Sequence, residues 1–278
     1  MLNRTLNKTI AFILILLFFL LKLKAGVNNV GDTLEASAFN FSASSPEIPL
    51  HPSMENFINE YSDDNDQLFE NIKQDKSIYF RTIDKIFVQQ NIPVELKYLA
   101  IVESKLKTNA RSGVGAAGVW QFMPGTAKRF GLKITSKYDD RQNLWKSTVA
   151  AAKYLQNLYS YFGDWLLVIA SYNSGPAPVL NAIKKSGSKN FWKLQYFLPK
   201  ETRLHVKRFI ATHYYFEGGG SLVTIGKAET EKYLKEMEDF KSKNNSDDNE
   251  DDKPVPGVFT QLVAVINQEK NLQLILKK

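Results

Sequence analysis

Apolar residues recur at intervals of three and four through the middle of this 278-residue chain, the period of helices that each bury one face. An acidic, weakly amphipathic stretch from Met54 to Lys76 predicts a first helix. Ile78, Ile83, Ile86 and Phe87 predict a second near 78–90. Pro93 is placed to open a third, where its missing N–H costs nothing, with Leu96, Leu99, Ala100 and Val102 or Glu103 turned inward. The clearest pattern lies within 139–162, where Ala151, Tyr154, Leu155 and Leu158 share a face and Ser147 is available as a cap. Asp164 is set to cap an apolar helix over 165–172. A further helix is predicted over 201–216, ended by Gly218-Gly219-Gly220. Strand-like alternation is nearly absent between 78 and 217, so the predicted class is all-α, with a small β component at most.

The flanks read differently. Twelve unbroken apolar residues, Ile10 to Leu21, follow Arg4 and Lys8 and precede Lys22 and Lys24. A permanent span needs about 20 such residues, so the run fits the core of a signal peptide with an exit near Ala25-Gly26. Leu23 is not the small residue a cleavage site favours, which leaves retention at the membrane through the N-terminus open. The expected location is therefore the periplasm or cell envelope. Residues 26–53 read as an extended leader, 227–243 as a charged helix and 246–253 as a solvated acidic run. Residues 255–278 alternate weakly, as a small hairpin or a docking segment would; 227–278 are expected to dock on the domain or on a partner, and 221–278 are the candidate region for a protein partner. Four parts result: a signal over 1–25, leader and acidic helix over 26–77, a helical domain over 78–217, and a tail over 218–278.

Composition narrows the chemistry. The absence of cysteine excludes disulfide scaffolds, cysteine-ligated zinc and thiol catalysis. Three histidines, His51, His205 and His213, leave little for a metal site, and neither metal nor cofactor is expected. The net charge of +7 first suggests a polyanion such as nucleic acid. Removing residues 1–25 takes away four bases and no acid, however, and an exported chain without a nucleic-acid motif has no nucleic-acid partner to meet. The remaining charge is uneven: residues 95–215 hold 19 Lys and Arg against six Asp and Glu. A basic domain between acidic flanks suits an acidic polymer outside the cytoplasm.

One carboxylate stands out within that domain. Glu103 follows Tyr98-Leu99-Ala100-Ile101-Val102, so it lies at the end of an apolar helix and not on a charged face. Loss of solvation favours the protonated form of a carboxyl group, as a general acid requires. The plainer reading is a glutamate that pairs with Lys105 or Lys107 at a frayed helix end. After it come the small residues 109–118, which let backbone approach closely, and then Val119-Trp120-Gln121-Phe122-Met123-Pro124-Gly125-Thr126-Ala127. Small residues, an amide, a thioether and an aromatic make a wall on which a sugar can stack, although Trp120 and Met123 equally suit a core. Ser171-Tyr172-Asn173-Ser174-Gly175-Pro176 ends a later apolar helix with a phenol, an amide and a Gly-Pro break.

The ordered set of motifs resembles the lytic transglycosylases of the goose-lysozyme-like superfamily, nearest to the membrane-bound lytic murein transglycosylase D group. The set comprises Glu103-Ser104, Ser112-x-x-Gly115-Ala116-x-Gly118, Gly118 through Ala127, Gly163-Asp164-Trp165, Ser171 through Gly175, and Pro199-Lys200-Glu201-Thr202-Arg203. It covers roughly 78–217. The resemblance implies a lysozyme-like helical fold and Glu103 as the sole catalytic carboxylate. It also implies substrate contacts from Ser104, Ser112, Gly118, Gln121, Met123, Tyr172 and Glu201, with Asn173 shaping the cleft. Its substrate would be peptidoglycan glycan strands, cut between N-acetylmuramic acid and N-acetylglucosamine with formation of 1,6-anhydro ends. The chain departs from the family at His205, where a tyrosine is usual, and its tail lacks the sugar-binding repeats common in this group. Lysozyme-type hydrolysis of the same bond typically needs a second carboxylate. Asp139, Asp140 and Asp164 are the nearest in sequence, of which Asp164 reads as a cap and the pair as a loop. A non-catalytic wall-binding protein is the remaining alternative, and the intact Glu103 argues against it.

Overall fold

The helical class is borne out: ten α-helices and no named strand occur among residues 46–244, the part described by the computed structural model. The expected export signal, most of the leader, the acidic run 246–253 and the segment 255–278 lie outside the described residues. In chain order the helices are α1 (Glu55–Asp75), α2 (Ser77–Gln89), α3 (Tyr98–Ser104), α4 (Pro124–Arg129) and α5 (Leu144–Phe162). They continue with α6 (Trp165–Ser174), α7 (Pro176–Ser186), α8 (Phe191–Leu194), α9 (Lys200–Glu217) and α10 (Lys227–Asn244). Among the described residues, pairing of extended backbone is confined to isolated bridges, Arg111 with Ala117, Ala117 with Phe122, and Ile134 with Asp139.

The core forms around α6. Its residues Trp165 to Ala170 are apolar on every side and all buried, as a central helix requires. α5, α7 and α9 pack directly on it, and α9 in turn carries α1 and α3. That arrangement explains the acidic first helix. Phe69 of α1 is fully buried against Tyr215 and Phe216 of α9, and the Tyr215 hydroxyl donates to Asp66 and Glu70 at 2.7 and 2.9 Å. Since α3 and α6 both lean on α9, the end of α3, the C-terminal turn of α6 and the N-terminal half of α9 are built against one another.

Several local expectations change. Asn143, not Ser147, caps α5 by accepting from the Lys146 N–H; Ser147 lies one turn inside and donates its hydroxyl to the Asn143 carbonyl. Pro93 stays extended and precedes a 3-10 turn, Val94–Lys97, so the helix proper begins only at Tyr98. Ile78 is exposed, while Ile83, Ile86 and Phe87 are buried as expected. Gly175-Pro176 does end α6, but Pro176 at once supplies the first turn of α7, a helix the sequence reading missed.

Asp164 caps α6 as expected, its Oδ1 accepting from the Leu167 N–H at 3.2 Å. Its Oδ2 accepts from the Lys227 N–H at 2.7 Å, so one buried carboxyl ties the start of α10 to the start of α6. Burial raises its pKa to about 6, opposed by the backbone donors of Lys227, Leu167 and Leu166 and reinforced by Glu229. A folded-state pKa above the unfolded one gives stability that is complete below pH 4 and is lost as pH rises through about 6. We expect the stability of the protein relative to its Asp164→Asn variant to fall by about 2–3 kcal/mol between pH 4 and pH 7. Urea midpoints of both proteins across that range provide the check.

Candidate active site

Glu103 occupies the last turn of α3, and the helix stops just behind it. Lys105 and Leu106 both take left-handed backbone, at φ 56° and 58°, a conformation that costs a non-glycine residue about 1 kcal/mol or more. Burial of the Leu106 side chain offsets that cost. The Ser104 hydroxyl is turned inward and donates to the Ala100 and Val119 carbonyls at 3.1 and 2.8 Å, so it fastens the helix end to the following loop. Glu103 keeps 14% of its side-chain surface, and its Oε1 lies 2.9 Å from Nε2 of His205 on α9, which is 5% exposed. Neither Lys105 nor Lys107 forms an ion pair with it. Oε2 of Glu103 accepts no hydrogen bond from the described residues.

The loop after Glu103 is organised by a residue the sequence reading passed over. Arg141 is buried, and it grips Asp139 with two parallel hydrogen bonds of 2.8 and 2.7 Å. Its remaining terminal nitrogen donates to the carbonyls of Gly115 and Phe122 at 2.7 and 3.0 Å. One guanidinium therefore pins both sides of the glycine-rich loop. Gly118 packs so tightly on this anchor that a Cβ there would sit 1.8 Å from the Arg141 carbonyl oxygen, and its φ is 83°. Only glycine fits.

Asp139 is committed to this loop: the hydrogen bonds from Arg141 hold its carboxyl below the usual range. Asp140 is likewise lowered, first by Lys146 and then by the Lys133 N–H. With Asp164 in its double cap, each carboxylate nearest in sequence is engaged elsewhere, and none pairs with Glu103.

The other candidate residues fall around this core. Gln121 is left-handed at φ 47°, and its amide nitrogen donates to the Gly118 carbonyl at 2.8 Å and to that of Ala110 at 3.4 Å. Its Oε1 accepts nothing from the described residues. Ser112 accepts from the Ala116 N–H at 2.9 Å. Tyr172 donates to the Trp120 carbonyl at 2.8 Å; burial and then the charge of Glu103 push its phenol well above the ordinary value. Asn173 accepts from the buried Thr202 hydroxyl at 2.9 Å, which links α6 to α9. Met123 is half exposed at the start of α4. Trp120, by contrast, is fully buried, in tilted ring contact with Phe87 and bonded to Thr148, so it is core.

Thus the fold brings Glu103, His205 and Tyr172 together and sets Ser112, Gly118 and Gln121 on the loop that Ser104 and Arg141 fasten. Glu201 stands apart, exposed and paired with Arg208 at 2.6 Å. A cavity of about 690 Å³ beside Ile48, Tyr214, Glu217 and Gly220 contains none of these residues. Among the described residues no three His, Asp or Glu side chains gather as metal ligands would.

The described residues thus form a helical domain that presents one carboxylate behind a pinned glycine-rich loop. Residues 83–195 match the family model described as Transglycosylase SLT domain. Over 128 residues, 44% of its length, the chain is 44% identical to the membrane-bound lytic murein transglycosylase D of Escherichia coli K12, covering 28% of that protein. It is 38% identical over 96 residues to the peptidoglycan transglycosylase gp16 of Escherichia phage T7, covering 34% of this chain and 7% of that one. The chain therefore spans little more than a quarter of the first relative and far less of the second. The 70 kDa soluble lytic transglycosylase of Escherichia coli aligns over 54% of this chain and 26% of its own, at 26% identity and a TM-score of 0.46.

Proposed function

We propose that the chain is a peptidoglycan lytic transglycosylase in which Glu103 acts alone, first as acid and then as base. Protonated Glu103 donates to the oxygen between N-acetylmuramic acid and N-acetylglucosamine, and the C1–O bond breaks. The substrate's own N-acetyl group and nearby protein dipoles stabilise the oxocarbenium-like sugar. Ionised Glu103 then takes the proton of the muramic 6-hydroxyl as that oxygen closes onto C1. Its proton is restored, no water is consumed, and a 1,6-anhydro end results. An internal nucleophile has a high effective molarity, which removes the need for a second carboxylate to activate water.

The observation that carries this reading is the isolation of Glu103: its one polar partner among the described residues is His205, and Asp139, Asp140 and Asp164 are all held elsewhere. Around it, the free Oε1 of Gln121 suits a sugar hydroxyl or N–H, the Ser112 hydroxyl can donate, and exposed Met123 offers apolar surface for a sugar ring. Gly118 keeps backbone close to the strand, while Tyr172 and Asn173 shape the wall. Ser104 acts from behind by fixing the helix end, and Glu201 reaches substrate at the periphery.

Export by residues 1–25 would bring this domain to its polymer, and the words "membrane-bound" in the name of the Escherichia coli relative support retention at the envelope. No helix among the described residues is long and apolar enough to cross a membrane. Residues 78–217 would do the cutting, and 221–278 would be the region that meets a protein partner. Within that tail, Tyr233 and Met237 of α10 form one buried apolar cluster with Leu222 and Ile225. Weighing the soluble fragments of digested sacculi tests the activity. Anhydro ends are expected, and fragments one water heavier would mean lysozyme-type hydrolysis.

A further inference from the structure

We infer that His205 is a positioning residue that confines the acid proton of Glu103 to Oε2. This rests on Glu103 being the acid and concerns which of its two oxygens does the work. The His205 ring is 5% exposed, with Nε2 at 2.9 Å from Oε1 of Glu103. Its other nitrogen, Nδ1, is buried and has no hydrogen-bond partner among the described residues.

That asymmetry selects among the forms of the ring. An imidazolium carries N–H groups on both nitrogens, and the Nδ1–H would be a buried donor with no acceptor. A neutral ring protonated at Nδ1 leaves the same orphan. Buried N–H groups without partners are rare and cost about 1–3 kcal/mol. The neutral ring protonated at Nε2 avoids this, since Nδ1 then holds only a lone pair. Nε2–H donates to Oε1, whichever charge Glu103 carries.

The consequence falls on the carboxyl group. When Glu103 is protonated, Oε1 must remain the carbonyl-type acceptor of the Nε2–H bond, so the acid hydrogen resides on Oε2. Oε2 is the oxygen that accepts nothing from the described residues. It delivers the proton to the glycosidic oxygen and later collects the proton of the 6-hydroxyl. Nε2–H meanwhile steadies the ionised carboxylate between the two steps. Both proton transfers thus use a single, preset oxygen.

Nitrogen NMR of the full chain carrying isotope-labelled histidine, together with kinetics on sacculi, tests this. The His205 ring should be protonated at Nε2 and bare at Nδ1, in the wild type and in Glu103→Gln alike. His205→Leu should lower kcat by about 10²-fold with KM within about two-fold, as misplacement of a reacting group does. His205→Gln, whose amide N–H can reach Oε1, should recover most of that loss. A ring protonated at Nδ1 overturns the inference, and so does a folded His205→Leu protein of normal kcat. Should His205→Leu fail to fold, the ring spectrum and the His205→Gln kinetics decide. Full activity in Glu103→Gln would instead remove the assignment of the acid itself, a separate failure.

Discussion

Glu103→Gln yields a folded protein whose turnover on sacculi is down by at least about 10³-fold. General acid and general base assistance each contribute about 10²–10⁴-fold, and here both rest on one side chain. The fold survives because the glutamine carbonyl still accepts from His205 across the 2.9 Å contact. Stability should change by less than about 1 kcal/mol, the net worth of a hydrogen bond that is kept in altered form. Turnover of sacculi and a urea titration on the same preparation separate the two effects. Lost activity with an unshifted unfolding midpoint is the expected pair, and undiminished activity would place the chemistry on another residue.

Arg141→Met is the most damaging structural change we expect. It leaves the Asp139 carboxylate, itself largely buried, without its bidentate partner, and it frees the carbonyls of Gly115 and Phe122. Removing one member of a buried ion pair costs about 3–5 kcal/mol, a large part of the roughly 5–15 kcal/mol that holds a domain together. The loop that carries Ser112, Gly118 and Gln121 would loosen first, so activity should fall well before global unfolding. The double variant Arg141→Met with Asp139→Asn should lose less stability than the sum of the single changes, because no buried charge is then orphaned. Urea unfolding of the three variants reads this coupling, and strict additivity would show that the pair does not act as a unit.

How much of this was legible in the sequence depends on whether the signal was local. α5, α6 and α9 follow from their periodicity and their ends, since Asp164 and Gly218 sit where a cap and a terminator should. Glu103 stood out because an apolar run leads into it. α4 and α8 are too short for a period to register, and α7 was hidden because Gly175-Pro176 reads as a break when it is also a start. Arg141 gave no signal at all. Its partners Gly115 and Phe122 lie 26 and 19 residues away, and only the folded loop brings their carbonyls to one guanidinium. His205 was visible as a departure from the resembled motif. Its bond to Glu103, across 102 residues, comes from the packing of α3 on α9. Trp120, which could have lined the site or filled the core, was decided by burial against Phe87.

Cleavage of the glycan by one carboxylate, without water, makes a direct prediction about its products. Digestion of sacculi in water enriched in heavy oxygen, followed by mass spectrometry of the released fragments, addresses it most directly. Anhydro ends with no heavy oxygen incorporated at C1 are expected, whereas reducing ends that carry the heavy isotope would contradict a cut made without water.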